Sequence, residues 1–290
     1  MGKCFVSVSA ELRARVALEQ YGFRTAHSLG QNFLFDEGLL NALLDRAGVT
    51  GEDRVLEIGP GPGVMTAQLA RRCEKVVSLE IDEKLRPVLE TVLEGVQNVR
   101  VIYCDAMKAD IGRISRENLG EGPFRVGANL PYYITTDVLL RLATGGYPIR
   151  DISVMVQKEA AQRILSRPGE KQWCAAAAVL AYFGQAQVLE EVPRDRFEPA
   201  PHVDSAFLRI EMYEEKPVQA QRDDMMLKTI HAAFLMRRKK LSNNLKAAFS
   251  LSGEQALAVL QQAGLSPDIR GEVLTMEELA RLSDVLSTLL

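Results

Sequence analysis

The sequence predicts an α/β domain built on a mainly parallel sheet, followed by a smaller domain that is all helical. Three observations carry this. Apolar strand-like runs alternate with helix-like stretches from residue 54 onwards. A Gly-rich turn, Glu57 to Gly63 reading EIGPGPG, closes the first of those runs, the place where such sheets bind nucleoside ligands. Past Glu214-Glu215-Lys216-Pro217 the strand-like runs stop and only helical periodicity remains. The expected boundaries are 1–213 for the α/β domain with an N-terminal extension and 214–290 for the helical domain.

Taken in order, residues 1–26 read as a helical lead-in, with Leu12, Val16 and the stretch Leu18 to Tyr21 apolar among charges. The segment HSLGQNFLF (27–35) is irregular around Gly30. The stripe Leu39, Leu40, Leu43, Leu44 and Ala47 predicts a helix over 37–47. Strands are expected at 54–58, 75–81, 99–104, 124–128 and 152–156, because each is a short apolar run bounded by turn residues. Helices are expected between them at 64–72, 83–93, 110–119 and 135–143, then at 158–165 and 173–183. Two last strands, 188–192 and 206–212, follow one another without a clear helix between them, which predicts an antiparallel edge pair. Helices over 223–235, 239–250, 254–263 and 276–289 complete the chain. Gly264 is a C-cap for the third of these, and Thr275 with Glu278 is a capping box for the fourth.

Bulk properties set the class. The 290 residues are 47% hydrophobic and 25% charged, ordinary for a globular chain. No apolar run approaches the roughly 18 residues of a bilayer span, and the N-terminus lacks a signal-peptide pattern; both predict a cytoplasmic protein without membrane attachment. Cys4, Cys73, Cys104 and Cys174 are far apart and form no CxxC pair, so reduced thiols are expected. Neither these nor His27, His202 and His231 have metal-ligand spacing, so no metal is expected. The formal net charge is −3, but nucleic-acid binding needs a local patch and not a basic total. Arg237-Arg238-Lys239-Lys240 is such a patch.

Three features line up at successive strand ends. Gly59 and Gly61 in EIGPGPG let the backbone turn tightly and approach a ligand. Glu80, about twenty residues on and at the end of the second strand, is placed to accept both hydroxyls of a ribose. Asp105, after the third strand, is placed to read an adenine edge. A nicotinamide dinucleotide site needs GxGxxG, whereas Gly59-Pro60-Gly61-Pro62-Gly63 is GxGxG and Val64 stands where the third glycine belongs. No Gly-Lys-Ser/Thr follows, which excludes a P-loop. The pattern fits S-adenosylmethionine.

Asn129-Leu130-Pro131-Tyr132 follows the fourth strand and therefore falls beside that cofactor's methyl group. The Asn129 side-chain carbonyl and the Leu130 backbone carbonyl can both accept hydrogen bonds from an amino group. Pro131 restricts Leu130 to an extended conformation and aims its carbonyl. Tyr132 offers a flat face on which a base stacks. These groups suit the exocyclic amine of a nucleobase, which must be flipped out or lie in a loop to reach them. Phe197, in RFEPAPHVDSAF, is a candidate for the second face of the base.

These residues resemble the ribosomal RNA adenine dimethyltransferases, specifically their bacterial small-subunit branch. The resemblance runs from about His27 to the C-terminus. It rests on GQNFL (30–34), EIGPGPG, EID (80–82), the Asp105 turn, NLPYY, VQKEAAQRI (156–164), FEPAPHVDSAF (197–207) and FLMRRKKLSNNL (234–245). It implies a Rossmann-like, seven-stranded S-adenosylmethionine-dependent methyltransferase fold with a small all-helical C-terminal domain. It implies dimethylation of two adjacent adenosines in a hairpin near the 3′ end of 16S ribosomal RNA, in the small ribosomal subunit or its precursor. By matching motif positions, Asn32, Leu34, Gly59, Glu80, Asp105 and Asn129 line the cofactor pocket. Asn129, Leu130 and Tyr132 hold the base and Phe197 stacks opposite. The sequence departs from the family's usual pattern at His27, where a basic residue is usual, and at His202, where lysine is common.

Two other readings share these features. One is the large-subunit branch, a 23S ribosomal RNA methyltransferase conferring macrolide-type resistance; the NLPY form and RRKKLSNNL disfavour it. The other is a non-catalytic assembly or nucleic-acid-binding factor on the same fold, against which the intact NLPY and cofactor acids argue. A DNA adenine methyltransferase is expected to carry Asp-Pro-Pro-Tyr. Arg237 to Lys240 are expected to grip RNA, and the protein is expected to be a monomer.

Overall fold

The computed structural model describes residues 8–25 and 30–290. The described chain divides into two compact units. The first comprises Met1–Ala161 with Gln187–Met212, and the second Gln162–Ala186 with Tyr213–Leu290. The second unit thus takes in residues 162–186, which the sequence reading assigned to the first domain. The packing of that segment explains the grouping. Buried Trp173 meets Phe234 edge-on, with ring centroids 6.2 Å apart, and the Tyr182 hydroxyl donates to Asp223 at 2.7 Å.

Nine strands are described: β1 (Phe33–Leu34), β2 (Arg54–Ile58), β3 (Lys75–Glu80), β4 (Val99–Tyr103), β5 (Phe124–Asn129), β6 (Ile149–Gln157), β7 (Gly184–Val192), β8 (Phe197–Glu198) and β9 (Ser205–Met212). Seven of them form one sheet in the order β4-β3-β2-β5-β6-β9-β7. The first five in that order run parallel, and β9 is antiparallel to β6. The inner parallel strands are near-continuous apolar runs because both faces are covered: in β2 every residue after Arg54 is buried, whereas the edge strand β4 is only partly buried. β1 and β8 form a separate two-stranded ribbon, Leu34 opposite Phe197. A two-residue pairing leaves no periodicity to read, and the ribbon was not expected.

The helices of the first unit are α1 (Ala10–Gln20), α2 (Glu37–Arg46), α3 (Val64–Ala70), α4 (Arg86–Val92), α5 (Ile111–Leu119) and α6 (Thr135–Thr144); α7 (Lys158–Ile164) follows. The apolar residues noted in the lead-in are not those that α1 buries. Its buried face is the alanine stripe Ala10, Ala14 and Ala17, whereas Leu12 and Val16 are exposed. Small side chains let α1 lie close on the core that includes Val88, Leu89 and Val92 of α4.

The second unit holds α8 (Ala175–Phe183), α9 (Asp223–Ala233), α10 (Leu241–Phe249), α11 (Gly253–Gln262) and α12 (Met276–Leu289). Thr275 accepts from the Glu278 N–H while Glu278 accepts from the Thr275 N–H, closing the capping box on α12. Gly264 follows α11 with φ +70°, the left-handed turn a glycine supports at that point. No helix of the described residues is long and apolar enough to cross a membrane.

Candidate functional site

The chain order of the sheet reverses at one place. From β2 the chain moves outward through β3 to β4, then returns to β5 on the other side of β2. Open α/β sheets form a crevice beyond their strand C-termini at such a reversal. Here the EIGPGPG turn leaves β2 and the NLPY turn leaves β5, side by side in the first unit. A Cβ added to Gly59 would sit 3.9 Å from the Asn129 carbonyl oxygen.

A cavity of about 300 Å³ opens between these turns. Asn32, Leu34, Gly59, Gly61, Glu80, Asp105, Asn129, Leu130, Pro131 and Tyr132 all line it. Those are ten of the expected site residues, drawn from five separate stretches of sequence. The Gly-rich loop has positive φ at Gly59 (+72°) and Gly61 (+55°). At Gly61 an added Cβ would also come within 3.0 Å of the Phe33 ring, so both backbone angle and space require glycine.

The acids are held by backbone donors. Glu80 is buried; the Gly61 N–H donates to its Oε2 at 3.1 Å and the Asp82 N–H to its Oε1 at 2.8 Å. Burial raises its pKa, and those two bonds oppose the rise. Each carboxylate oxygen keeps a lone pair for a ligand hydroxyl. Asp105 Oδ1 accepts from the Met107 N–H at 2.9 Å, and Oδ2 lies 3.3 Å from Lys108 Nζ.

In the acceptor turn, Asn129 Nδ2 donates to the Asn32 backbone carbonyl at 3.0 Å. That bond fixes which end of the amide is which: the NH₂ is engaged with the lead-in segment, and the side-chain oxygen remains an acceptor. The Tyr132 hydroxyl is 2.8 Å from Ser205 Oγ. The Pro131 carbonyl accepts from Thr135 Oγ1, at the start of α6, at 3.1 Å.

Phe197 is placed differently from expectation. It is 2% exposed, belongs to the core cluster with Phe33, Leu34 and Phe207, and is absent from the cavity wall. Its pairing with Leu34 in the β1–β8 ribbon carries its ring into that core. His27 lies outside the described residues. The basic run lies in the second unit, in the turn between α9 and α10 and not within a helix, and all four side chains are exposed. Arg237 pairs with Glu272 at 3.1 Å and donates to the Lys171 carbonyl. Lys240 pairs with Asp268.

Among the lining residues given no role from sequence, three bear on binding. Ile81 is 54% exposed next to Glu80, and Met107 follows the Asp105 turn; together they offer apolar surfaces for a flat ring. Glu57 is fully buried. Its Oε2 accepts from Thr66 Oγ1 at 2.7 Å and Ser78 Oγ at 2.6 Å, while Oε1 has no hydrogen-bond partner. Burial pushes this carboxyl up to about 7 against those two hydroxyls, and the Glu80 charge adds to the rise. An acid inside an otherwise apolar strand, VLEIG, is the signal that marks it.

The cavity residues suit S-adenosylmethionine. Anchored acceptors at Glu80 match ribose hydroxyls, apolar Ile81 and Met107 match a purine face, and the orphaned Glu57 oxygen marks the inner end as favourable to a donor or cation.

Comparison with known proteins places these motifs in context. The ribosomal RNA adenine dimethylase family model matches residues 22–287. A Ribosomal RNA small subunit methyltransferase A from Geobacillus sp. (strain WCH70) is 43% identical over 282 residues, which is 96% of this chain and 97% of that protein. A dimethyladenosine transferase structure from Plasmodium falciparum superposes with a TM-score of 0.71 at 23% identity, over 84% of this chain and 94% of that one. A 23S rRNA methyltransferase, ErmE, gives 0.65 at 24% identity, over 88% and 100%. The two structures share the fold.

Proposed function

Because the chain belongs to the ribosomal RNA adenine dimethylase family, we propose that it dimethylates the exocyclic amine of two adjacent adenosines in 16S ribosomal RNA. The target hairpin lies near the 3′ end of that RNA, and the substrate is the small ribosomal subunit or its precursor. The single observation that carries this reading is the convergence of the Glu80 turn and the Asn129 turn on one cavity.

When bound, S-adenosylmethionine supplies an electrophilic methyl group on a sulfonium. The chain's own residues do the rest. Glu80 holds the ribose through oxygens already aimed by Gly61 and Asp82. Ile81 and Met107 cover the adenine of the cofactor, and Asp105 reads its edge. Asn129 Oδ1 and the Leu130 carbonyl accept the N–H bonds of the target amine, two before the first transfer and the one that remains before the second. That leaves the nitrogen lone pair, otherwise delocalised into the purine ring, directed at the methyl group. Tyr132 stacks on the base, an interaction worth about 1–3 kcal/mol. With Phe197 in the core, Tyr132 carries the stacking in this conformation. Holding the two reactants in line supplies much of the rate, and no dedicated base is needed, since the methylated nitrogen becomes acidic.

The basic turn divides by partner. Arg237 and Lys240 are tied to Glu272 and Asp268, so Arg238 and Lys239 are the members assigned to RNA phosphates. Such contacts position the substrate without reading its sequence.

The large-subunit reading is tested directly by offering undermethylated small and large subunits together with labelled cofactor. Label is expected in small-subunit RNA; label confined to large-subunit RNA would overturn the proposal.

A further inference from the structure

The segment FEPAPHVDSAF (197–207) contributes Phe207 to the cavity wall, yet its best-placed polar group is Ser205. This residue opens β9 and is 0% exposed. It stands opposite Gln157, the last residue of β6, in the antiparallel register. Its hydroxyl oxygen lies 2.8 Å from the Tyr132 hydroxyl. The residue just before it is fixed as well: the Asp204 carbonyl accepts from the Lys158 N–H at 3.0 Å, and Asp204 Oδ1 accepts from the Arg194 N–H at 3.0 Å. Ser205 is therefore a rigid point on a packed strand.

Tyr132 is the opposite case. It sits in a turn, half-buried on the cavity wall. The turn's backbone is secured on the near side by Asn129 to Asn32 and by Thr135 to Pro131. Neither bond restrains the ring. A tyrosine in a turn has more than one staggered χ1 rotamer open to it, and a hydrogen bond at its hydroxyl selects among them. Ser205 supplies that bond, reaching the ring from a strand two places away in the sheet.

We propose that Ser205 is a positioning residue for methyl transfer, its hydroxyl holding the Tyr132 ring in the orientation that receives the target base. The inference rests on the proposed function for the identity of the base and adds a residue to it. It has two consequences. The Tyr132 hydroxyl is committed to Ser205, so the ring face and not the oxygen serves the substrate. Tyrosine is also required over phenylalanine at 132, since phenylalanine would leave the Ser205 hydroxyl buried without this partner, at a cost in stability.

The test uses the full-length chain with small subunits and labelled cofactor. Ser205→Ala and Tyr132→Phe each remove one end of the same bond. Each is expected to lower turnover roughly two- to tenfold, the range of a single neutral hydrogen bond. Cofactor affinity is expected to stay unchanged. Because one bond is shared, the double variant is expected to turn over no more slowly than the slower single variant. Ser205→Thr, which keeps the hydroxyl, is expected to recover activity relative to Ser205→Ala. Multiplicative losses in the double variant, wild-type turnover in Tyr132→Phe, or an equal loss of cofactor affinity would overturn the proposal.

A second readout does not depend on the reaction. In protein carrying ¹³C-labelled tyrosine, one of seven tyrosines is assigned to position 132 through Tyr132→Phe. Ser205→Ala is expected to shift or broaden that resonance selectively. If the wild type transfers no methyl group, the proposed function fails while this spectrum still decides the role of Ser205; an unshifted resonance ends it.

Discussion

Asn129 donates its NH₂ to the Asn32 carbonyl, and its side-chain oxygen is the proposed acceptor for the target amine. Asn129→Ala is expected to bind small subunits near wild-type strength and to lose on the order of a hundredfold or more in methyl transfer, the scale of a misplaced reactant. Turnover near wild type in that variant rules out the role. Glu80→Ala removes a charge-assisted acceptor worth roughly 1.5–3 kcal/mol, so calorimetry should find cofactor affinity at least about tenfold weaker and RNA affinity little changed. Equal loss for both ligands would point to unfolding.

Glu57 makes a pH prediction. Its folded pKa of about 7 lies above its unfolded value of 4.5, so between those values the folded state binds more protons than the unfolded one. Stability from this group therefore falls as pH rises from about 4.5 to 7, by roughly 3 kcal/mol in all. Glu57→Gln keeps an acceptor for Thr66 and Ser78 and removes the ionisation. Urea melts should show the variant gaining on the wild type between pH 5 and pH 8; a constant difference contradicts the assignment. At this scale the sequence was legible wherever a residue sat at a strand end beside a glycine or proline turn. Phe197 was not, because a ring's direction depended on a two-residue pairing with Leu34, 163 positions away.

Elements were legible where periodicity was long. The β2 and β3 runs and helices α2, α5 and α12 are found close to their expected places, since each buries one face or both. Ends were less so. The basic run interrupts what looked like the start of a helix at 239; α10 begins at Leu241, after Lys240 in an extended conformation. Four adjacent cations resist helical packing against one another, and two of them find acids in Glu272 and Asp268 instead. This division yields a paired experiment. Neutralising Arg238 and Lys239 should lower the salt slope of RNA binding by about 1.4–1.8, two phosphate contacts at 0.7–0.9 each, with an unchanged melting temperature. Neutralising Arg237 and Lys240 should lower the melting temperature and change the slope less. The reverse pattern would reassign the run.

For the whole molecule, alternation of strands and helices implied a mainly parallel sheet, and the reversal in its strand order puts two sequence-distant turns on one cavity. The same reading missed that residues 162–186 group with the C-terminal helices, because a continuous helix-turn-helix pattern carries no mark of which core it joins. Trp173 against Phe234 is a tertiary fact. This cavity is proposed to deliver methyl groups to base amines in pairs. The most direct measurement is to incubate undermethylated small subunits with the protein and labelled S-adenosylmethionine, digest the RNA to nucleosides, and identify the product by mass spectrometry. N6,N6-dimethyladenosine is expected at two adjacent positions near the 3′ end, four methyl groups per subunit. Label on a ribose, on a ring nitrogen or on a base other than adenine would contradict it.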